Sequence, residues 1–175
     1  MRRINVALVG AVFVLGVVVG ATAAGGKNSE PSLYLGKKAK DAARALLEVA
    51  KVQAGAGSWQ NIAIARVYTK LGDEAQARAI LDAVQGGKMK KHDWLRIGRL
   101  YSEAGEWQSA KEAFVKALLM DAKDADLHAE IGAYFNLHGD RTRAEELFTR
   151  SFELDPSEFW NTVNAAGSYV DLAPQ

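Results

Sequence analysis

Cysteine is absent from all 175 residues, and that absence excludes disulfides, zinc-thiolate sites, thiol catalysis and a lipidated N-terminal cysteine. Histidine is scarce. The three present, His92, His128 and His138, include no pair at i, i+4 or another metal-ligand spacing, so no metal site is expected. Nucleophile elbow, phosphate loop and metal motifs are missing, and no paired carboxylates are placed by the pattern in a pocket. No catalytic residue and no cofactor is therefore expected. A surplus of one charge is lacking too. Without Arg2 and Arg3, 20 basic residues face 21 acidic ones, which leaves no basis for nucleic acid as a partner.

The charges that are present are unevenly placed. Residues 25–91 hold 12 basic and 6 acidic side chains, whereas 92–175 hold 8 and 15. Two readings stand open: uneven surface composition, or lysine clusters (Lys37, Lys38, Lys40 and Lys88, Lys90, Lys91) that steer an anionic membrane surface or acidic partner.

The first 24 residues differ in character from the rest. Arg2 and Arg3 precede an unbroken apolar run from Val6 to Val19, followed by Ala21, Thr22, Ala23 and Ala24. That order is an export signal, with cleavage expected after Ala23 or Ala24. The competing reading is an uncleaved anchor, because Ile4 to Gly26 carries no charge and is long enough for a bilayer core of about 30 Å. Both readings place residue 27 onward outside the cytoplasm, and a membrane enters only through this segment if it stays uncleaved.

Beyond it the chain repeats. A shift of 34 residues lays Gly98 on Gly132, Tyr101 on Phe135, Gly105 on Gly139, Ala110 on Ala144 and Phe114 on Phe148. A shift of 33 adds an earlier copy, with Tyr68 on Tyr101, Gly72 on Gly105, Ala77 on Ala110 and Ala65 in place of Gly98. The copies run over 58–90, 91–124 and 125–158, the first one residue short near Gly86 and Gly87. A period of this length is the mark of a solenoid.

These residues resemble the tetratricopeptide repeat (TPR) family, a 34-residue helix-turn-helix unit with the pattern W-x2-L-G-x2-Y, A-x3-F, P. The second copy shows Trp94, Ile97, Gly98, Tyr101, Ala110 and Phe114, with Ala122 in place of the proline. The third shows His128, Ile131, Gly132, Phe135, Ala144, Phe148 and Pro156; the first shows Asn61, Ile64, Ala65, Tyr68, Ala77 and Leu81. The resemblance implies an all-α solenoid, wound as a right-handed superhelix. Residues 25–36 read as a linker and 37–57 as a degenerate half repeat whose first helix is short, irregular or missing because of Pro31 and Gly36. Residues 159–172 read as a closing helix.

The pattern also assigns roles. Gly98 and Ala110 sit where the two helices of a unit cross, so the packing gained offsets the helix penalty of glycine, about 1 kcal/mol. Gly72, Gly105 and Gly139 supply the left-handed residue between helices. Tyr101, Phe114, Phe135 and Phe148 fill the gaps between units.

The family resemblance implies that positions 2, 5, 9, 12 and 13 of each first helix line a groove that binds peptides or proteins. These are Trp59, Ile62, Arg66, Thr69 and Lys70 in the first copy, and His92, Leu95, Arg99, Ser102 and Glu103 in the second. The third gives Asp126, Ala129, Ala133, Asn136 and Leu137. Arg66 and Arg99 share a position and either take an acidic group bidentately or pair with neighbouring acids such as Glu103. Ile62 and Arg66 stand where chaperone-binding members carry the first lysine and asparagine of a carboxylate clamp, so that clamp is not expected. Trp59 either anchors a partner or covers the upstream junction; Trp160 is expected to belong to the closing helix and not to act as a partner contact. The resulting expectation is a non-catalytic adaptor in the periplasm of a Gram-negative bacterium, serving envelope assembly or secretion. The alternative is an anchored structural subunit that self-associates through its basic and acidic ends.

Overall fold

The computed structural model describes residues 28–174; the expected signal or anchor segment lies outside them. No described helix is long and apolar enough to cross a membrane. A single 3-10 turn, Pro31–Leu33, comes first. The α-helices follow as α1 (Ala39–Ala54), α2 (Ser58–Leu71), α3 (Glu74–Gln85), α4 (Lys91–Glu103), α5 (Trp107–Met120), α6 (Ala125–Leu137), α7 (Arg141–Leu154) and α8 (Phe159–Ser168). No strand occurs among the described residues.

Each helical hairpin turns by the same device. Gly72, Gly105 and Gly139 adopt φ of 82°, 81° and 82°, a conformation that non-glycine residues reach only with strain. The N–H of each following acid then returns to a carbonyl five residues back: Asp73 to Tyr68, Glu106 to Tyr101 and Asp140 to Phe135, at 2.9, 2.9 and 3.0 Å. The hairpins α2/α3, α4/α5 and α6/α7 thus leave their turns alike, as a helical repeat solenoid requires.

The links between hairpins show what proline does and does not do. Asp121 and Asp155 have nearly the same backbone, φ −152°, ψ 88° and φ −145°, ψ 91°. In each, the carboxylate accepts the N–H two residues on, from Lys123 at 3.2 Å and Ser157 at 3.1 Å. Aspartate therefore shapes the link even where Ala122 replaces proline. Lys91 reinforces the first link by donating to Asp121 and Asp124 at 2.7 and 2.6 Å. Helix α3, ended by Gly86 and Gly87, has 12 residues against 14 in α5 and α7.

The crossing inside each unit is tight. A β-carbon added at Gly98 would lie 2.3 Å from Phe114 Cε1, and one at Gly132 would lie 2.8 Å from Phe148 Cε1. Phe114 and Phe148 thus pack first against the glycine of their own unit. The expectation that they fill gaps between units therefore covers only part of their role. Each ring also reaches onward, Phe114 to Tyr134 with centroids 5.2 Å apart and Phe148 to Tyr169 at 6.1 Å. In the first unit the same pair is Ala65 and Leu81, both buried.

The ends are finished differently. Arg44 of α1 donates two hydrogen bonds to Asp73, at 2.7 and 2.8 Å, tying α1 to the first hairpin turn. At the other end α8 lies along α6, and every residue from Leu127 to Phe135 is buried. The cover is incomplete outward: Phe159, Tyr169, Val170 and Leu172 remain exposed.

Candidate functional site

Helices α2, α4, α6 and α8 present one continuous inner face. Two adjoining depressions lie on it. The first is lined by Trp59, Ile62, Ala63, Arg66, Arg96 and Arg99. The second, of about 230 Å³, is lined by His92, Leu95, Arg96, Arg99, Asp126, Leu127, Glu130, Trp160, Asn161 and Asn164. Arg96 and Arg99 belong to both. The exposed rings of Trp59 (55%) and Trp160 (54%) stand at the two ends.

The three arginines differ in freedom. Arg66 donates to both carboxylate oxygens of Glu103, at 2.5 and 2.6 Å, and Arg99 pairs with Glu130. Each bridge joins one hairpin to the next. Glu130, whose side chain is 11% exposed, has few other ways to be solvated, so Arg99 is bound to a structural task. Arg96 has looser ties. Its Nη1 donates to the His92 carbonyl at 3.2 Å and stands 3.9 Å from Asp93, with 41% of the side chain exposed.

Local electrostatics hold the links around this face. Burial acts to raise the Asp124 carboxyl, but hydrogen bonds from Lys91 and the Leu127 N–H outweigh it and keep it below the usual carboxylate range. Burial pushes the Tyr134 hydroxyl up to about 12, so it stays neutral beside Arg99 and Glu130. His138 stacks on Trp107 at 4.0 Å and meets Ser102 Oγ at 2.8 Å, and burial lowers its pKa. No group of three or more metal-ligating side chains occurs among the described residues.

A family model described as "Tetratricopeptide repeat" matches residues 94–124, which include the Trp94 to Phe114 stretch with its glycine crossing and most of the α4/α5 hairpin. The matched hairpin is a tetratricopeptide repeat. It is similar to Superkiller complex protein 3 of Homo sapiens, 30% identical over 115 residues, covering 61% of this chain and 7% of that protein. The chain thus spans about 7% of the length of the curated relative it matches. TPR repeats mark a protein-protein interaction module.

The inner face of this repeat array uses the expected positions unequally. Positions 2 and 9 deliver Trp59, Arg66, His92, Arg99 and Asp126 to the depressions. Ile62 and Leu95 line the depressions from below. At 2% and 5% exposure they belong to the core and form the floor. Ala129 and Ala133 are fully buried, and Asn136 donates to Ser168 Oγ at 3.0 Å, binding α6 to α8 instead of facing a partner. Thr69 Oγ1 donates to its own helix at the Ala65 carbonyl. Of the two readings open for Arg66 and Arg99, the structure shows pairing with neighbouring acids, Glu103 and Glu130, because the next first helix brings an acid into reach.

Position 6 was missed. It supplies Ala63, Arg96, Glu130 and Asn164, which line the depressions in all four helices. The signal was available: position 6 lies four residues after position 2 and three before position 9, hence on the same helical face. Trp160 lies in α8 as expected, but its exposed ring also lines the second depression, which the closing-helix role alone did not foresee, and it crosses Phe159 at 76°.

Proposed function

We propose that this TPR protein is a non-catalytic adaptor whose inner face binds an extended segment of a partner protein. The observation that carries it is the pair of exposed tryptophans, Trp59 and Trp160, at either end of two joined depressions. Large amphipathic rings left in solvent beside polar groups are the commonest anchors of protein interfaces. Export to the periplasm, with removal of residues 1–23 or 1–24, belongs to the same proposal and rests on the basic, apolar and small-residue order of that segment. A role in envelope assembly or secretion follows from that location.

The test is capture from envelope extract by wild type and by Trp59→Ala/Trp160→Ala. Loss of specific captured proteins by the double variant, with an unchanged melting curve, supports the inner face. Full retention of every captured protein refutes it. Mass spectrometry of the mature chain tests export: a first residue of Met1 refutes cleavage.

Self-association of the two ends is the second reading, favoured by Tyr169, Val170 and Leu172 exposed beyond α8 and by the basic Lys37, Lys38 and Lys40 at the opposite end. Such a contact is heterologous and propagates. A monomer by light scattering at both low and high salt excludes it.

A further inference from the structure

We infer that the segment bound on this inner face is dipolar: it carries an acidic and a basic side chain about three residues apart, the acid seated on Arg96 and the base on Asp126 against Trp160. The inference rests on the inner-face reading above and specifies its ligand.

The charge audit of the face leads there. Two of its ion pairs are closed, Arg66 with Glu103 and Arg99 with Glu130. Two charges remain open to a ligand. Arg96 keeps most of its donors, since its one hydrogen bond goes to a backbone carbonyl and Asp93 lies 3.9 Å away. Asp93 is itself occupied, accepting from Ser58 Oγ at 2.9 Å and from the Lys90 N–H at 3.1 Å. Asp126 is exposed at the start of α6, and among the described residues no hydrogen bond or ion pair engages its carboxylate. An acid alone would meet Arg96 but face Asp126 across the same depression; a base alone would meet the reverse. A ligand with both signs matches both.

Geometry sets the spacing. Packed helices lie about 9 Å apart and an extended peptide advances about 3.3 Å per residue, so the step from α4 to α6 is about three residues. From Trp59 on α2 to Trp160 on α8 is three such steps, about eight residues. The Trp160 ring beside Asp126 adds cation-π attraction for a lysine or arginine. Asn161, buried in the wall of this depression, has an amide nitrogen without a hydrogen-bond partner, and a peptide carbonyl is an acceptor of the kind it lacks.

The test is selection of a phage-displayed library of random dodecapeptides on the purified full-length protein. Three forms are compared: wild type, Arg96→Glu/Asp126→Lys, and Trp59→Ala/Trp160→Ala. Wild type is expected to enrich peptides with an acid and a base two to four residues apart. The charge-exchanged variant should bind those peptides about tenfold more weakly and enrich the opposite charge order relative to the flanking apolar residues. Enriched peptides that need Trp59 and Trp160 but lack the charge pair, or bind the exchanged variant equally, overturn the dipolar ligand and leave the inner-face reading standing. Enrichment indifferent to both tryptophans, or no enrichment at all, overturns both.

Discussion

Replacing Gly98 with alanine should destabilise this protein, although alanine is the better helix former. Propensity alone favours Gly98→Ala by about 1 kcal/mol. The new methyl, however, would sit 2.3 and 2.4 Å from Phe114 Cε1 and Cδ1, more than 1 Å inside ordinary carbon contact of about 3.5–4.0 Å. Phe114 is fully buried and packed against Trp107 and Tyr134, so it has no free direction in which to yield. Overpacking of this kind costs about 1–3 kcal/mol. Taking the upper end for an immobile ring, the net loss is about 2 kcal/mol, or about 6 °C in melting temperature for a domain of this size. The first unit indicates the cure. There the crossing pair is Ala65 and Leu81, both buried, a larger residue on one helix and a smaller one on the other. Gly98→Ala/Phe114→Leu reproduces that pair, and a double-mutant cycle by urea unfolding should show the two changes less damaging together than their sum by about 1 kcal/mol or more. Gly98→Ala more stable than wild type, or an additive cycle, would refute the crossing as the reason for glycine.

The remaining predictions concern charge, pH and surface. Arg99→Ala should lower stability by about 2 kcal/mol in urea unfolding, because it strands Glu130 in a nearly buried site; Arg66→Ala, at a pair whose arginine is 60% exposed, should change it by less than about 1 kcal/mol. Burial holds the His138 pKa below its unfolded value, so its contribution is present above the unfolded pKa near 6.5 and is lost as pH falls through that value and the lower folded one. Melting temperature should therefore fall from pH 7.5 to 5, with a shallower fall in His138→Gln. At lower pH, Asp73 and Asp121, held down by Arg44 and Lys91, add a second loss as they protonate, measured as a further drop below about pH 4. Trp59→Ala and Trp160→Ala should each leave stability within about 0.5 kcal/mol, read as superimposable urea curves.

The fold was legible because each hairpin repeats its constraints in the same register. Glycine at a crossing, glycine at a turn and an acid after the turn each answer one local requirement, and those requirements recur with the period. The inner face was harder to read because it depends on how neighbouring units lie side by side. Arg66 and Arg99 look equivalent along the chain, yet Arg66 finds an acid near the end of α4 and Arg99 one in the middle of α6. Ile62 and Leu95 hold groove-lining positions by count, but helix contact turns them into floor. Nothing in the third copy announces that α8 will lie along α6 or that Ala129 and Ala133 will be fully buried. Arg96 escaped notice because no regular feature of the repeat sets position 6 apart.

The two inter-hairpin bridges also give the array a reading direction. Arg66 hands its charge forward to Glu103, and Arg99 hands its own forward to Glu130. The third hairpin has Ala133 at the corresponding place and passes nothing on; Asn136 and Ser168 take over with an uncharged bond. Hairpins that look interchangeable in their glycines and rings are therefore addressed, each accepting one neighbour upstream and one downstream. Exchanging the second and third would leave every crossing intact and still set Arg66 against the wrong partner, so the order of the repeats is written in ion pairs and not in the motif that defines them.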